Sequence, residues 1–243
     1  MSRARLDLPL LADIVEAMAA PEAIRWALDN YHPRAAFASS FGAEDVVVTD
    51  LLLRERPDAR IITLDTGRLH EETHDVAQRV RERYGVAIET HCPDRATVER
   101  LVREKGPFSF RRSVADRKEC CEIRKVAPLR AALHGLELWI TGVRRGQAAT
   151  RSAVRRLEWD DHFGLLKLNP IADWNEEQVW AYIHANDLPY NALHDRGFPS
   201  IGCAPCTRAV RPGEDLRAGR WWWESPERKE CGLHPETRAG DTP

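Results

Sequence analysis

The sequence predicts an α/β fold: a mostly parallel sheet joined by crossover helices and closed by an irregular C-terminal tail. Two observations predict it. Strand-like runs at 35–39, 61–65, 86–91 and 136–141 alternate with segments at 44–54, 71–84 and 96–104 whose apolar positions recur every three or four residues. From about residue 185 the alternation stops, and LPYNALHDRGFPSIGCAPC and RPGEDLRAGRWWWESPERKECGLHP are rich in Gly, Pro and charge instead. The 243 residues are therefore read as one domain, 1–243. Its core lies at about 20–185, and a segment at about 186–243 covers the carboxyl ends of the strands, where such sheets bind ligands.

Each element has its own signal. The N-terminus, MSRARLDLPLLADIVEAMAA, turns apolar after two arginines, but Asp7, Asp13 and Glu16 interrupt the apolar stretch and make it an amphipathic helix rather than a signal peptide. The first strand runs into Ser39-Ser40-Phe41-Gly42-Ala43-Glu44-Asp45. A Ser-Ser-x-Gly turn that opens a helix presents backbone N–H groups and hydroxyls to a phosphate or sulfate, or it is a tight turn with a serine cap. It lacks the lysine of a P-loop. The second strand ends in Leu64-Asp65-Thr66-Gly67, where Asp65 can accept from a ribose or cap the next helix. The fourth leads into Thr141-Gly142-Val143-Arg144-Arg145-Gly146-Gln147-Ala148-Ala149-Thr150-Arg151, whose guanidinium forks match phosphate and sulfate oxygens. Trp221, Trp222 and Trp223 cannot all face one side, so at least one packs against a lid or partner. Residues 235–243 are expected to be disordered.

Composition excludes some functions. With 36 basic and 38 acidic side chains the formal charge is −2, which argues against a nucleic-acid partner. No run approaches the about 18 apolar residues of a membrane span. A cytoplasmic location is expected, and there clustered cysteines point to metal or redox chemistry rather than structural disulfides.

Five of the six cysteines fall into three groups: Cys120–Cys121 in KECCEIRK, Cys203 and Cys206 in IGCAPCTR, and Cys231 in KECGLH. Four thiolates complete a soft-metal site and leave a fifth for chemistry. The spacing leaves zinc, iron–sulfur and a redox disulfide open, and also two buried thiols at a helix start for Cys120–Cys121. Cys231 stands near Arg228, Lys229 and His234, cations that favour a thiolate nucleophile. Cys92 is expected to be a buried strand-end thiol without a role.

In order along nearly the whole chain, SSFGAED, LDTG, CCEIRKVAPL, TGVRRGQAATRS, NPIADWNEEQVWAYI, YNALHDRGFPSIGCAPCTR, GEDLRAGRWWWE and ECGLH closely resemble the assimilatory adenylylsulfate reductases, the iron–sulfur branch of the phosphoadenylylsulfate reductase family. The resemblance implies a Rossmann-like adenine-nucleotide alpha-hydrolase fold with helices on both faces of the sheet. It implies that Cys120, Cys121, Cys203 and Cys206 ligate a 4Fe–4S cluster and that Cys231 is the nucleophile. Ser39, Ser40, Phe41 and Gly42 would form a modified phosphate loop, with Leu64, Asp65 and Gly67 near the adenosine. Lys125, Arg144, Arg151, Arg217, Arg220 and His234 would gather around phosphate and sulfate. The implied reaction is thioredoxin-dependent reduction of adenosine 5'-phosphosulfate to sulfite and AMP through an S-sulfocysteine, with a glutaredoxin-like donor as the other possible reductant.

Relatives that use the 3'-phosphorylated nucleotide commonly lack both cysteine pairs. Retention of both pairs, with Gly42-Ala43-Glu44-Asp45, favours adenylylsulfate, and an acidic pair facing the ribose would repel an extra phosphate. Ala148 departs from the family, which often has serine there, and removes one donor from the arginine loop. The same reaction on phosphoadenylylsulfate, an ATP-pyrophosphatase-type ligase and a non-catalytic metal-binding protein remain as alternatives. Oligomeric state is left open, a homo-oligomer included.

Overall fold

The computed structural model describes residues 8–225 together with Gly232 and Leu233. The site expectations for Cys231 and His234, and the disorder expected at 235–243, lie outside the described residues.

Helix α1 (Leu8–Glu16) and helix α2 (Ala20–Tyr31) precede the sheet. Strand β1 (Ala35–Ser39), helix α3 (Ala43–Glu55), strand β2 (Arg60–Leu64), helix α4 (Glu71–Tyr84) and strand β3 (Glu89–His91) follow the expected alternation. Helix α5 (Arg95–Lys105) starts on Asp94, whose carboxylate accepts from Thr97 N at 2.8 Å and satisfies one free N–H of the first turn. Helix α6 (Val114–Cys121) runs through a π-helical turn (Glu122–Val126) into helix α7 (Ala127–Leu133) and strand β4 (Leu138–Ile140). Strands β5 (Leu157–Asp160) and β6 (Leu165–Leu168) form a hairpin before helix α8 (Glu176–Ala185).

The sheet order is β3-β2-β1-β4-β6-β5. All pairs are parallel except β5 with β6. The β5–β6 hairpin is absent from the expected strands. Its strands are four residues each, and charge breaks their apolar pattern: Lys167 is buried on β6 and pairs with Glu158 of β5 at 2.9 Å.

Side chains alternate across the sheet with period two. Phe37, Ile61, Leu138, Ile140 and Leu166 join one core with α2, α3, α4 and α8, while Ala36, Ile62, Trp139 and Leu165 join a second with Leu129, Ala132 and Leu133 of α7. Helix α3 packs on β1 between α2 and α8 and is almost wholly buried, which is why its apolar residues run on rather than follow a stripe. None of the described helices is long and apolar enough to cross a membrane.

Candidate active site

Strands β2 and β4 flank β1 on opposite sides, so the connections leave β1 in two directions. At that switch point a cavity of about 670 Å3 opens, lined by residues from the ends of β1, β2 and β4 and by the C-terminal segment. Of the residues expected to bind substrate, Ser39, Ser40, Gly42, Leu64, Lys125, Arg144, Arg151, Arg217 and Arg220 line it.

Three expected residues do not. Phe41 is buried at 2% exposure beneath the loop, and its backbone takes φ 58°, a left-handed conformation costly for a phenylalanine and held here by packing. Asp65 turns its carboxylate back to accept from Gly67 N at 2.8 Å within its own turn, and it does not cap the next helix, whose N-cap is His70. Gly67 stands against Arg124 instead of the cavity.

The first loop is held by its own helix. Ser40 N and Ser40 Oγ donate to Asp45 Oδ2 at 2.5 and 2.7 Å. Burial pushes the Asp45 carboxyl up to about 6, against the lowering effect of those two hydrogen bonds. Glu44 Oε1 accepts from Arg144 Nε and Nη2 at 3.0 and 2.6 Å. Burial would raise the Glu44 carboxyl, but the charge of Arg144 and the hydrogen bonds hold it below its ordinary value. Gln147 Oε1 accepts from Arg144 N at 3.2 Å and Arg151 Nη1 at 2.5 Å, so one amide aligns both cavity-facing arginines. The loop also requires Gly142, where a Cβ would sit 2.1 Å from Asp45 Oδ1.

A second cavity, about 20 Å3, lies beneath the first, and all four expected metal-ligating cysteines line it: Cys120, Cys121, Cys203 and Cys206. Cys120 and Cys121 stand at the end of α6, not at a helix start, just before the π-helical turn. That turn carries Arg124, which donates through Nη1 to Thr66 O at 2.6 Å, and Lys125. Cys203 precedes and Cys206 ends a short 3-10 turn (Ala204–Cys206) anchored by Ala204 N to Arg68 O at 2.8 Å. Lys125, Arg220 and Trp221 line both cavities.

Charge and hydrogen bonding in the lower cavity favour an anionic sulfur at Cys203, whereas burial keeps Cys120 and Cys206 toward the neutral thiol. Arg68, Arg117, Arg124, Lys125 and Arg220 line that cavity. Burial pushes the Cys203 thiol up, but Lys125, the Thr66 hydroxyl at 3.3 Å, Arg220 and Arg124 together draw it below its ordinary value. Burial, then the neighbouring Cys203, pushes Cys206 up to about 12. Burial also raises Cys120. Arg124 Nε, Arg220 Nε and Trp221 Nε1 are buried donors without an acceptor among the described residues. Such orphans cost free energy unless a ligand accepts from them. Among the described residues no three Cys, His, Asp or Glu side chains converge closely enough to hold a single metal ion. Four thiols in one cavity and orphaned N–H donors beside them are a donor set that fits a sulfide-bearing cluster.

The C-terminal segment is tied to α6. Trp221 N donates to Cys206 O at 3.0 Å, and the Trp221 ring lies between the guanidinium groups of Arg117 and Arg220, each 4.7 Å from its centroid. Trp221 is buried, Trp222 is 39% exposed, and Trp223 packs on Phe110, so the three do face different ways. The residues following Cys231 return to the site: Gly232 stands beside Val126, and Leu233 lines the upper cavity. Cys92, expected to be buried, is exposed, because β3 ends one residue before it and no element covers it. Thr66, Arg117, Arg124, Gln147 and Glu224 were not among the expected site residues. Thr66, Arg124, Gln147 and Glu224 lie inside the LDTG, CCEIRKVAPL, TGVRRGQAATRS and GEDLRAGRWWWE motifs, and only Arg117 lay outside every motif.

Residues 34–209 match the family model of the phosphoadenosine phosphosulfate reductase domain. The chain is 51% identical over 229 residues to an adenosine 5'-phosphosulfate reductase of Burkholderia cepacia, covering 94% of this chain and 90% of that one. It is 52% identical over 198 residues to the protein of that name from Allochromatium vinosum, covering 82% and 77%. A solved phosphoadenylyl-sulfate reductase from Candida auris, a phosphate complex, superposes with a TM-score of 0.72 at 26% identity over 86% of this chain and 98% of that one. The fold is the Rossmann-like adenine-nucleotide alpha-hydrolase type that the motifs imply. The chain belongs to the phosphoadenosine phosphosulfate reductase family.

Proposed function

We infer that the chain reduces adenosine 5'-phosphosulfate to sulfite and AMP, with a dithiol as the electron source. The observation that carries this reading is the sharing of Lys125, Arg220 and Trp221 between an anion-receiving cavity at the strand ends and a cavity lined by four cysteines. Relatives named adenosine 5'-phosphosulfate reductase at 51% and 52% identity supply the substrate.

The Cys231 thiolate attacks the sulfate sulfur. The S–O bond to the phosphate breaks, AMP leaves with the electron pair, and an S-sulfocysteine remains. Lys125, Arg144, Arg151, Arg217 and Arg220 neutralise charge on sulfate and departing phosphate, without which an anionic thiolate is repelled from an anionic substrate. His234, outside the described residues, is assigned to the same cationic set by the resemblance alone. A thioredoxin or glutaredoxin-like thiol then attacks the Cys231 sulfur and releases sulfite. The donor's second thiol resolves the mixed disulfide, so the donor is oxidised by two electrons and Cys231 is regenerated. Cys120, Cys121, Cys203 and Cys206 would hold a 4Fe–4S cluster, which when bound supplies a fixed charge and a tie between α6 and the C-terminal segment. Ser39, Ser40 and Gly42 receive the phosphate, and Leu64 lies along the nucleoside. Asp65, Gly67 and Phe41 support these loops rather than touch the ligand. Such thiol chemistry suits a reducing compartment, the cytoplasm.

Phosphoadenylylsulfate is the second reading, favoured by the Candida auris structure. Glu44 and Asp45 both line the upper cavity and supply negative charge that disfavours a 3'-phosphate. Anaerobic purification followed by thioredoxin-dependent sulfite release from each nucleotide tests both. A higher kcat/KM for adenylylsulfate is expected; a higher value for phosphoadenylylsulfate overturns the choice, and no sulfite from either overturns the function.

A further inference from the structure

The arginine loop faces two ways. Arg144 and Arg151 line the upper cavity, whereas Arg145, Arg155 and Arg156 turn away from it, toward the N-terminal helix α1. Glu16, the last residue of α1, meets both ends of the loop at once. Its Oε1 accepts from Arg145 Nη2, and its Oε2 accepts from Arg156 N at 2.9 Å. The main chain adds to the clamp: Arg156 Nη1 donates to Glu16 O at 2.8 Å and to Met18 O at 2.5 Å. Arg156 is 2% exposed and also pairs with Asp173, so the far end of the loop is fixed in the protein interior.

The stretch between Arg145 and Arg156 has only two short 3-10 turns and no sheet or long helix to hold it. Five arginines at 144, 145, 151, 155 and 156 repel one another, and the three turned toward α1 need carboxylates to stay together. Arg145 N donates to Ala172 O and Arg145 Nε to Val154 O, both within 2.9 Å, so the residue adjoining Arg144 has its backbone and its side chain both committed. Burial raises the Glu16 carboxyl, but Arg156 N and Arg145 together hold it below its ordinary value, as expected for a carboxylate held ionised by the loop.

We propose that Glu16 is a positioning residue for anion binding: by joining Arg145 to Arg156 it closes the base of the arginine loop and sets Arg144 and Arg151 at the spacing the substrate's phosphate and sulfate require. The proposal rests on the functional reading above, and it makes the helix that precedes the sheet part of the binding apparatus rather than a cover for one edge.

The test compares Glu16→Gln, Arg145→Gln, the double variant and Val15→Ala, each by calorimetric binding of adenylylsulfate, by KM and kcat for sulfite release, and by melting temperature. Glu16→Gln keeps the shape of the side chain but loses its charge. It is expected to raise KM and Kd about tenfold with kcat within about twofold, the loss of one charge-assisted hydrogen bond. Arg145→Gln is expected to do the same, and the double variant to fall well short of the product of the two effects, because both changes remove the shared Glu16–Arg145 contact. Val15→Ala, at a position with 0% exposure on the same helix, loosens α1 without touching the loop and is expected to lower the melting temperature while KM stays within about twofold. An unchanged KM in Glu16→Gln, a multiplicative double variant, or a KM rise in Val15→Ala equal to that of Glu16→Gln each overturns the proposal. A wild-type chain that neither binds adenylylsulfate nor releases sulfite overturns the functional reading itself, whatever the variants do.

Discussion

Arg117 and Glu224, 107 residues apart, form a bidentate ion pair at 2.9 to 3.1 Å with side chains 0% and 4% exposed. The pair joins the helix that ends in Cys120–Cys121 to the chain just before the stretch bearing Cys231. It anchors Glu224, one residue before the end of the continuous described stretch, to the cysteine-bearing helix. Removing one partner of a buried ion pair leaves the other charge uncompensated. Glu224→Ala is therefore expected to destabilise the protein by about 3–5 kcal/mol, read from urea unfolding, and to lower kcat/KM along with iron retention. A change under about 1 kcal/mol would mean that the pair behaves as a surface contact.

The division of labour among the cysteines separates two variants. Cys231→Ser should lose sulfite release and the covalent sulfo-intermediate while iron content stays at the wild-type level. Cys203→Ser should lose iron and its visible absorbance. Mass spectrometry after mixing with adenylylsulfate and iron analysis of each purified variant check both; a sulfo-adduct on Cys231→Ser refutes the nucleophile, and full iron in Cys203→Ser refutes the ligand.

Asp45 makes stability depend on pH in a defined direction. Its carboxyl sits at about 6 in the folded protein against 3.8 in its ordinary state, so the folded form binds the proton more tightly than the unfolded one. Wild type should then lose stability relative to Asp45→Asn as pH rises from about 4 to about 7, by about 3 kcal/mol at most. Melting temperatures of the two proteins across that range measure it. A constant difference would show that the carboxyl titrates normally.

Arg144 presents a planar fork to Glu44 that a lysine cannot copy. Arg144→Lys should raise KM for adenylylsulfate at least about tenfold and weaken the arginine loop's hold on α3. Steady-state kinetics decide it, and equal KM values would remove Arg144 from the binding set.

Much of this molecule was legible in local patterns. Period-three-and-four segments between strand-like runs foretold α3, α4 and α5 with the parallel strands between them, and the Ser-Ser-x-Gly and arginine loops lie where such a sheet binds ligands. The β5–β6 hairpin was hidden because Lys167 and Glu158 interrupt its pattern and are buried only as a pair. The resemblance put Asp65 and Phe41 in the expected site, whereas the Asp65 carboxylate accepts from Gly67 N in its own turn and the Phe41 ring packs inward.

The sequence by itself determined the strand–helix alternation, the switch-point loops and the three cysteine groups, because each depends on residues a few positions apart. Only the tertiary structure decided that the two cysteine pairs meet in one cavity, that Lys125 and Arg220 face both cavities, and that Glu16 reaches Arg145 and Arg156. Those relationships link residues tens to more than a hundred positions apart. They arise from how helices pack across a twisted sheet, and no spacing in the chain encodes which face of a loop an arginine takes.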